Sequence, residues 1–256
     1  MQLKKTLILS ALVCSSAAFA QAKAPEPDYT LGFNVGVVTD YRFRGITQTS
    51  KKAALQGGLD FTHQNGFYLG AWGSNVRWIK DFNGATKGSL EIDLYGGYKG
   101  SIATDLGFDL GLITYQYPDN NSGAAGTPGA GTVTNANTTE VYGGLSYKMF
   151  TLKYSHSTSN FLGFLRSSGS NYLDLSAAFD LGDGFTLTPH IGVQKVKNNK
   201  DFDYTDYSLT LSKDLGNGLS LSAAAIGTDA KKAFYTDLKG KYLGNSTLVL
   251  GAKYSF

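Results

Sequence analysis

The sequence predicts an all-β chain: a transmembrane antiparallel up-and-down β-barrel of about twelve strands, preceded by a cleaved signal peptide. Three observations predict it. Apolar and polar residues alternate over runs of about ten, the length a tilted strand needs to cross a bilayer. The connections between runs alternate between long and short. The last run ends on an aromatic, with Leu248, Leu250, Ala252, Tyr254 and Phe256 on one face and Val249, Gly251, Lys253 and Ser255 on the other. Successive strand side chains point to opposite faces, so one face of this run is apolar and the other small or polar. Closing strands of bacterial outer-membrane barrels look like this, and their terminal aromatic is read by the assembly machinery.

Lys4 and Lys5 precede an apolar stretch from Leu7 to Val13, and Ala18-Phe19-Ala20 supplies small residues for a cleavage site. This is the pattern of a secretory signal peptide over residues 1–20. The stretch is too short for a transmembrane helix. The one cysteine, Cys14, lies inside it, after Val13 where a lipoprotein signal wants Gly or Ala. The mature chain then has no thiol and no disulfide. Removing these residues, with their two lysines, takes the formal net charge from +3 to +1. A near-neutral chain has no electrostatic case for nucleic acid as a partner. Aromatics make up 13% of the residues, 16 of them tyrosine, a composition that suits strands and membrane interfaces.

Residues 21–28, with Pro25 and Pro27, read as a short periplasmic leader, and 29–256 as the barrel. Leu31, Phe33, Val35 and Val37 alternate with Thr30, Gly32, Asn34 and Gly36. Leu55, Leu59 and Phe61 then oppose Gln56, Asp60 and Thr62. Asn65-Gly66 marks a hairpin turn, and Phe67 to Val76 returns. In that strand Tyr68 and Trp72 share one face and Phe67 and Leu69 the other, so its inward side stays open. Leu90, Ile92, Leu94 and Tyr98 oppose Glu91, Asp93, Tyr95 and Lys99. A fifth run spans about Leu106 to Tyr117, before Pro118. Seven more lie near 138–148, 150–157, 171–181, 185–195, 203–213, 219–228 and 247–256.

The long connections are Tyr41 to Lys51, Ile79 to Lys87, Pro118 to Asn137, Thr158 to Ser170, Lys197 to Asp201 and Asp229 to Asn245. The short ones are Gln64 to Gly66, Gly100 to Ala103, Lys148-Met149, Gly182 to Gly184 and Gly216 to Gly218. Long loops on one side and tight turns on the other match outer-membrane barrels, whose turns are periplasmic. An even strand number puts both termini on the periplasmic side. A soluble sandwich gives no reason for this alternation.

With the apolar face in lipid, the inward set is Gln56, Asp60, Glu91, Asp93, Lys99, Asp109, Glu140, Lys148, Lys153, Asp174, His190 and Gln194. These are the candidate pore-lining residues. They either line a wet conduit and tune its selectivity, or pair with one another and plug a structural barrel. Twelve strands fall between filled eight-stranded barrels and open porins of about sixteen, so a narrow lumen partly occluded by loops is expected.

Several motifs stand out: Asp40-Tyr41-Arg42-Phe43-Arg44-Gly45-Ile46-Thr47-Gln48, then Gln56-Gly57-Gly58, and Gly66-Phe67-Tyr68 with Gly70, Trp72, Ser74, Asn75 and Val76. Glu91-Ile92-Asp93 with Tyr95-Gly96-Gly97-Tyr98, Tyr117-Pro118 and Glu140-Val141-Tyr142-Gly143 follow. Together they resemble the TorF porin family. The resemblance spans the mature chain and implies a proteobacterial outer-membrane channel, with no catalytic residue, no cofactor and no assigned solute. The insert from Asp119 to Asn137 departs from the pattern.

Arg42 and Arg44 are two residues apart and share a face if the strand continues. They read as a basic patch at the extracellular mouth, for anions or lipopolysaccharide phosphates. Alternatively they stop the strand and pair with Asp40 or Asp60. The lysines of the last two long loops also suit lipopolysaccharide, but acids stand among them. The partners expected are therefore outer-membrane lipids and lipopolysaccharide, the assembly machinery and small hydrophilic solutes.

Enzyme readings fare less well. His63, His156 and His190 form no close metal pair, and neither a Gly-x-Ser-x-Gly elbow nor a P-loop occurs. Outer-membrane phospholipases, also twelve-stranded, pair a His with a Ser two residues on. Here Thr158 follows His156 at that spacing. An adhesive or purely structural barrel would use the loop Asp119 to Asn137, which lacks the aromatic and Arg anchors of binding hot spots.

Overall fold

The computed structural model describes residues 27–256; the predicted signal peptide and most of the leader lie outside them. The strands are β1 Tyr29–Val38, β2 Ala54–His63, β3 Phe67–Asn75, β4 Leu90–Ala103, β5 Leu106–Gln116 and β6 Thr138–Tyr147. They continue as β7 Phe150–Ser157, β8 Asn171–Gly182, β9 Phe185–Lys195, β10 Tyr204–Asp214, β11 Leu219–Thr228 and β12 Thr247–Ser255. β8 is briefly interrupted at Ala178. Ser176 faces His190 and Phe179 faces Leu187 on β9, so the register runs unchanged through the break.

Every strand is antiparallel to its neighbours in chain order. β12 then pairs with β1, with Val37 opposite Ala252 and Asn34 opposite Ser255, and the sheet closes into a barrel. Closure leaves no bare strand edge. Among the described residues, helix is limited to one turn, α1 (Trp78–Asp81), and a 3₁₀ turn at Lys200–Phe202.

One expected turn shifts. Gly100 to Ala103 remains within β4, and the chain reverses at Thr104-Asp105, where Asp105 has φ +62. Asp tolerates this left-handed conformation. Its carbonyl also accepts from the Lys148 N–H of the neighbouring turn, at 3.1 Å.

The outer face is apolar along every strand. Leu31, Val37, Leu55, Leu69, Leu110, Leu209 and Leu250 are all exposed. Phe67, Tyr98, Tyr147, Phe150, Phe185, Tyr254 and Phe256 ring the outside near the short turns, as an interfacial aromatic belt would. The open question in β3 is settled by its contacts. Phe67 and Leu69 face outward, while Tyr68 donates inward to Asp109 at 2.6 Å and Trp72 lines the lumen.

Several inward tyrosines lie flat against the wall. A Cβ at Gly70 would stand 2.3 Å from the Tyr95 ring, and Gly111 and Gly192 take Tyr142 and Tyr172 in the same way.

The water-excluding core sits at the end that carries the long loops. One cluster joins Val76, Trp78, Ile79, Ala85, Tyr115, Tyr117 and Ala136. A second joins Ile46, Tyr204, Ala230, Tyr235 and Leu243, with Phe82 packed against both.

Candidate functional site

The loop between β1 and β2, residues 39–53, folds into the lumen. Asp40, 4% exposed, organises its base. Its carboxylate accepts from Arg42 Nε at 2.8 Å, from the Thr49 hydroxyl at 3.2 Å, from the Lys51 N–H at 3.2 Å and from Thr47 Oγ1. The loop doubles back as a two-residue ladder, Arg42–Phe43 against Ile46–Thr47. At its tip Arg44 has φ +46 and Gly45 φ +78. A Cβ at Gly45 would stand 2.5 Å from Thr228 Cγ2 and 2.7 Å from Asp206 Cβ. Only glycine fits both this conformation and this approach to the far wall.

Arg44 fastens the tip. It donates to Glu140 on β6 at 2.6 Å and to Gln194 on β9 at 2.8 Å. Its guanidinium lies 4.3 Å from the centre of the Tyr172 ring and 4.7 Å from that of Phe43. Burial is the largest influence and opposes the charge, but Glu140, Tyr115 and Tyr204 together outweigh it and hold the guanidinium pKa above its ordinary value. On the near side, Tyr41 packs edge-on to Trp72 and donates to Glu91 at 3.2 Å. Burial, then Glu91, pushes the Tyr41 hydroxyl up, so it stays a proton donor.

The remaining long loops seal this stopper from above. Phe43, Phe82, Phe161, Leu162, Phe164 and Tyr235 enclose a residual void of about 30 Å³, room for about one water. A polar clasp ties loop 39–53 to α1 and to the loop before β12. Lys239 donates to Asp81 at 2.6 Å, the Ser50 hydroxyl donates to Asp81 at 3.2 Å, and Lys241 donates to the Ser50 carbonyl.

Burial pushes the Asp81 carboxyl up, but Lys239, Ser50 and Arg77 together hold it below the ordinary Asp range. A carboxylate with a lowered folded-state pKa stabilises above the unfolded value of about 4, and that contribution is lost as pH falls through the folded value. The clasp is therefore expected to hold at neutral pH and to loosen below about pH 4. Fluorescence of Trp78, buried beside it, measured in a Trp72→Phe background, should redden over that range. An Asp81→Asn chain should show the reddened emission already at pH 7.

The other half of the lumen is open. Asn34, Gln56, Asp60, Trp72, Tyr95, Ser222 and Lys253 line a cavity of about 480 Å³ towards the short turns. Lys99, Asp109 and Lys153 line a second, of about 440 Å³. Across the wall, the His190 and Asp174 side chains meet at 2.5 Å, and the Tyr172 hydroxyl donates to Asp206 at 3.0 Å.

The predicted lining set divides accordingly. Gln56, Asp60, Lys99, Asp109, Lys153, Asp174 and His190 face the open half. Glu91, Asp93, Glu140 and Gln194 lie buried around the stopper. Lys148 is not on the wall; it occupies the turn between β6 and β7 with φ +52, its ammonium 5.4 Å from the centre of the Tyr147 ring. Nor do Arg42 and Arg44 form an exposed basic patch, because the strand ends before them and the loop turns inward. Their side chains are 2% and 7% exposed. Arg42 pairs with Asp40, as the alternative reading had it, and Arg44 pairs with Glu140.

A family model described as "Bacterial protein of unknown function (Gcw_chp)" matches residues 21–256. The chain belongs to the Gcw_chp family. No curated protein matches it significantly.

Among solved structures, this Gcw_chp chain is similar to the KdgM porin at 8% identity, covering 88% of this chain and 99% of that one with a TM-score of 0.54. The NanC porin gives 10% identity, 88% and 99% coverage, and a TM-score of 0.54. A deletion mutant of TodX, a monoaromatic hydrocarbon channel, gives 13%, 90% and 90%, and 0.50. At these identities the likeness is one of fold.

His156 faces outward, stacked beside Tyr154. Ser155 and Ser157 are buried on the opposite face, and Thr158 donates to the Thr139 carbonyl. The Gcw_chp barrel thus presents no serine to His156 within this segment. Sequence reasoning missed Trp72, Tyr95 and Tyr172 as lumen residues. Their strand parity carried the signal, but aromatic side chains suit lipid equally well.

Proposed function

We propose that this chain is an outer-membrane channel for passive diffusion of small hydrophilic solutes, held shut in the conformation described by loop 39–53. One observation carries the reading. A closed barrel with an apolar exterior encloses a polar, water-accessible half-lumen, which a purely structural barrel has no need to keep open. The motifs that resemble those of the TorF porin family support the same reading. So does the folding likeness to porins that span nearly their whole length on this chain. In this reading the short turns and both termini are periplasmic, the long loops meet lipopolysaccharide, and the strand ending at Phe256 is the signal for the assembly machinery. No cofactor enters the mechanism. Solute passage requires only that the stopper leave the wall, and the charges of the open half set a mild ionic preference.

The test is ion conductance of the refolded mature chain in planar bilayers. Rare discrete steps from a mostly closed state are expected. Neutralising Asp60 and Asp109 should shift cation-to-anion selectivity towards anions. A folded barrel that shows no steps, with or without Arg44, would overturn the channel reading.

A further inference from the structure

We infer that the open half-lumen contains a binding site for a neutral pyranose sugar, with Trp72 as its stacking platform and Asp60 as its hydroxyl acceptor. The inference deepens the channel reading, on which its meaning for transport rests, by naming the class of solute.

The site is laid out by strand register. Asn34, Gly58 and Trp72 stand opposite one another across β1, β2 and β3, and Asp60, Gly70 and Tyr95 form the next inward row across β2, β3 and β4. A Cβ at Gly58 would stand 3.2 Å from Trp72 Cδ1 and 3.3 Å from Asn34 Nδ2. The missing side chain lets the indole and the amide close over the bare backbone, side by side on the cavity wall. Gly70 does the same for Tyr95, whose ring crosses it to donate to Asp60 Oδ1 at 2.6 Å. That bond fixes the carboxylate. Among the described residues its second oxygen makes no hydrogen bond, and Asp60 is exposed to the cavity. Tyr41 holds Trp72 in place from the stopper side, ring centres 5.4 Å apart.

A pyranose ring has an apolar face of axial C–H groups and a rim of adjacent hydroxyls. An indole face covers the first. A carboxylate and two side-chain amides accept from and donate to the second. Asp60 and Lys253 are the charged groups lining this cavity, and their charges cancel. Without an arginine there, the wall offers no fork for a carboxylate or phosphate. A neutral ring is favoured over an acidic one. The cavity size falls within the range of small-ligand sites, roughly 300–1,000 Å³.

The experiment uses the refolded full barrel in a zwitterionic detergent, since sugar-headed detergents would compete. Methyl glucoside, glucuronate and the acyclic polyol erythritol are titrated by tryptophan fluorescence and by calorimetry. Methyl glucoside should bind saturably in the millimolar range. Its affinity should fall about tenfold or more in Trp72→Ala and in Asp60→Asn, and should be unchanged in Lys200→Ala, in an exposed turn among the long loops. Equal binding of glucuronate would overturn the neutral-sugar assignment, and equal binding of erythritol would overturn the stacking platform. Unchanged affinity in a Trp72→Ala barrel that retains its far-ultraviolet strand signal would overturn the site, as would no saturation by any probe. Conductance of the same samples separates the two readings: binding without conductance sinks the channel and keeps the site, and conductance without binding does the reverse.

Discussion

Replacing Arg44 by alanine is expected to convert a mostly closed barrel into a mostly conducting one. Arg44 and Glu140 are an ion pair shut away from water, with side chains 7% and 1% exposed. Deleting one member leaves the other charged and buried, which costs about 3–5 kcal/mol in other proteins. Here that penalty need not unfold the wall. It can be relieved by moving loop 39–53 out of the lumen and letting water reach Glu140 and Gln194. The same change removes the cation over the Tyr172 and Phe43 rings. Single-channel recording should show a large rise in open probability, and limited proteolysis should find new cleavage within 39–53. The companion change Glu140→Gln in the Arg44→Ala background removes the orphaned charge and should return part of the closed time. If Arg44→Ala stays as silent as the parent while its loop becomes cleavable, the loop is not the barrier to flow.

The second large effect separates the two faces. Leu209 stands mid-strand on the outer face of β10 and is 48% exposed. Leu209→Arg should destabilise the barrel in lipid vesicles by about 2–4 kcal/mol, the cost of a cation near the bilayer midplane. Ser212 lies on the inner face of the same strand, against the open cavity. Ser212→Arg should fall within about 0.5 kcal/mol of the parent. Urea unfolding of vesicle-inserted protein measures both. Equal penalties would mean that the outer face of β10 does not meet lipid.

The barrel was legible in the sequence because its evidence is periodic. The spans read as 150–157, 185–195 and 219–228 coincide with β7, β9 and β11. Strand side chains obey a period of two whatever surrounds them. Boundaries blurred where residues suit turn and strand alike, as with Gly100 to Ala103. The stopper was harder to read. Arg42 and Arg44 follow the end of a strand, where a solvated basic patch is the ordinary outcome. What draws Arg44 inside is Glu140, almost a hundred positions later, while Arg42 is held by Asp40 and by the Asn245 carbonyl some two hundred positions on. No local pattern encodes that meeting. At Gly45 the decisive property is the absence of a side chain against the far wall. Lys148 misled because alternation was carried one residue past the end of β6. Tyr95 was left out of the site because parity was read for charge, which an aromatic residue lacks, and Trp72 because both faces of its strand are apolar.

The seam between β12 and β1 has a consequence for how such a chain comes together. Each of the other neighbouring pairs is joined by its own hairpin, so the wall can grow outward from any of them with little loss of chain freedom. The seam alone pairs residues more than two hundred positions apart. Long-range pairing is the slow kind, because the intervening chain must be ordered before the contact repays it. Until it forms, the first and last strands both present unpaired edges beside an apolar sheet, the arrangement most prone to join another copy. The most vulnerable moment in the life of this molecule is therefore the interval before its two ends meet.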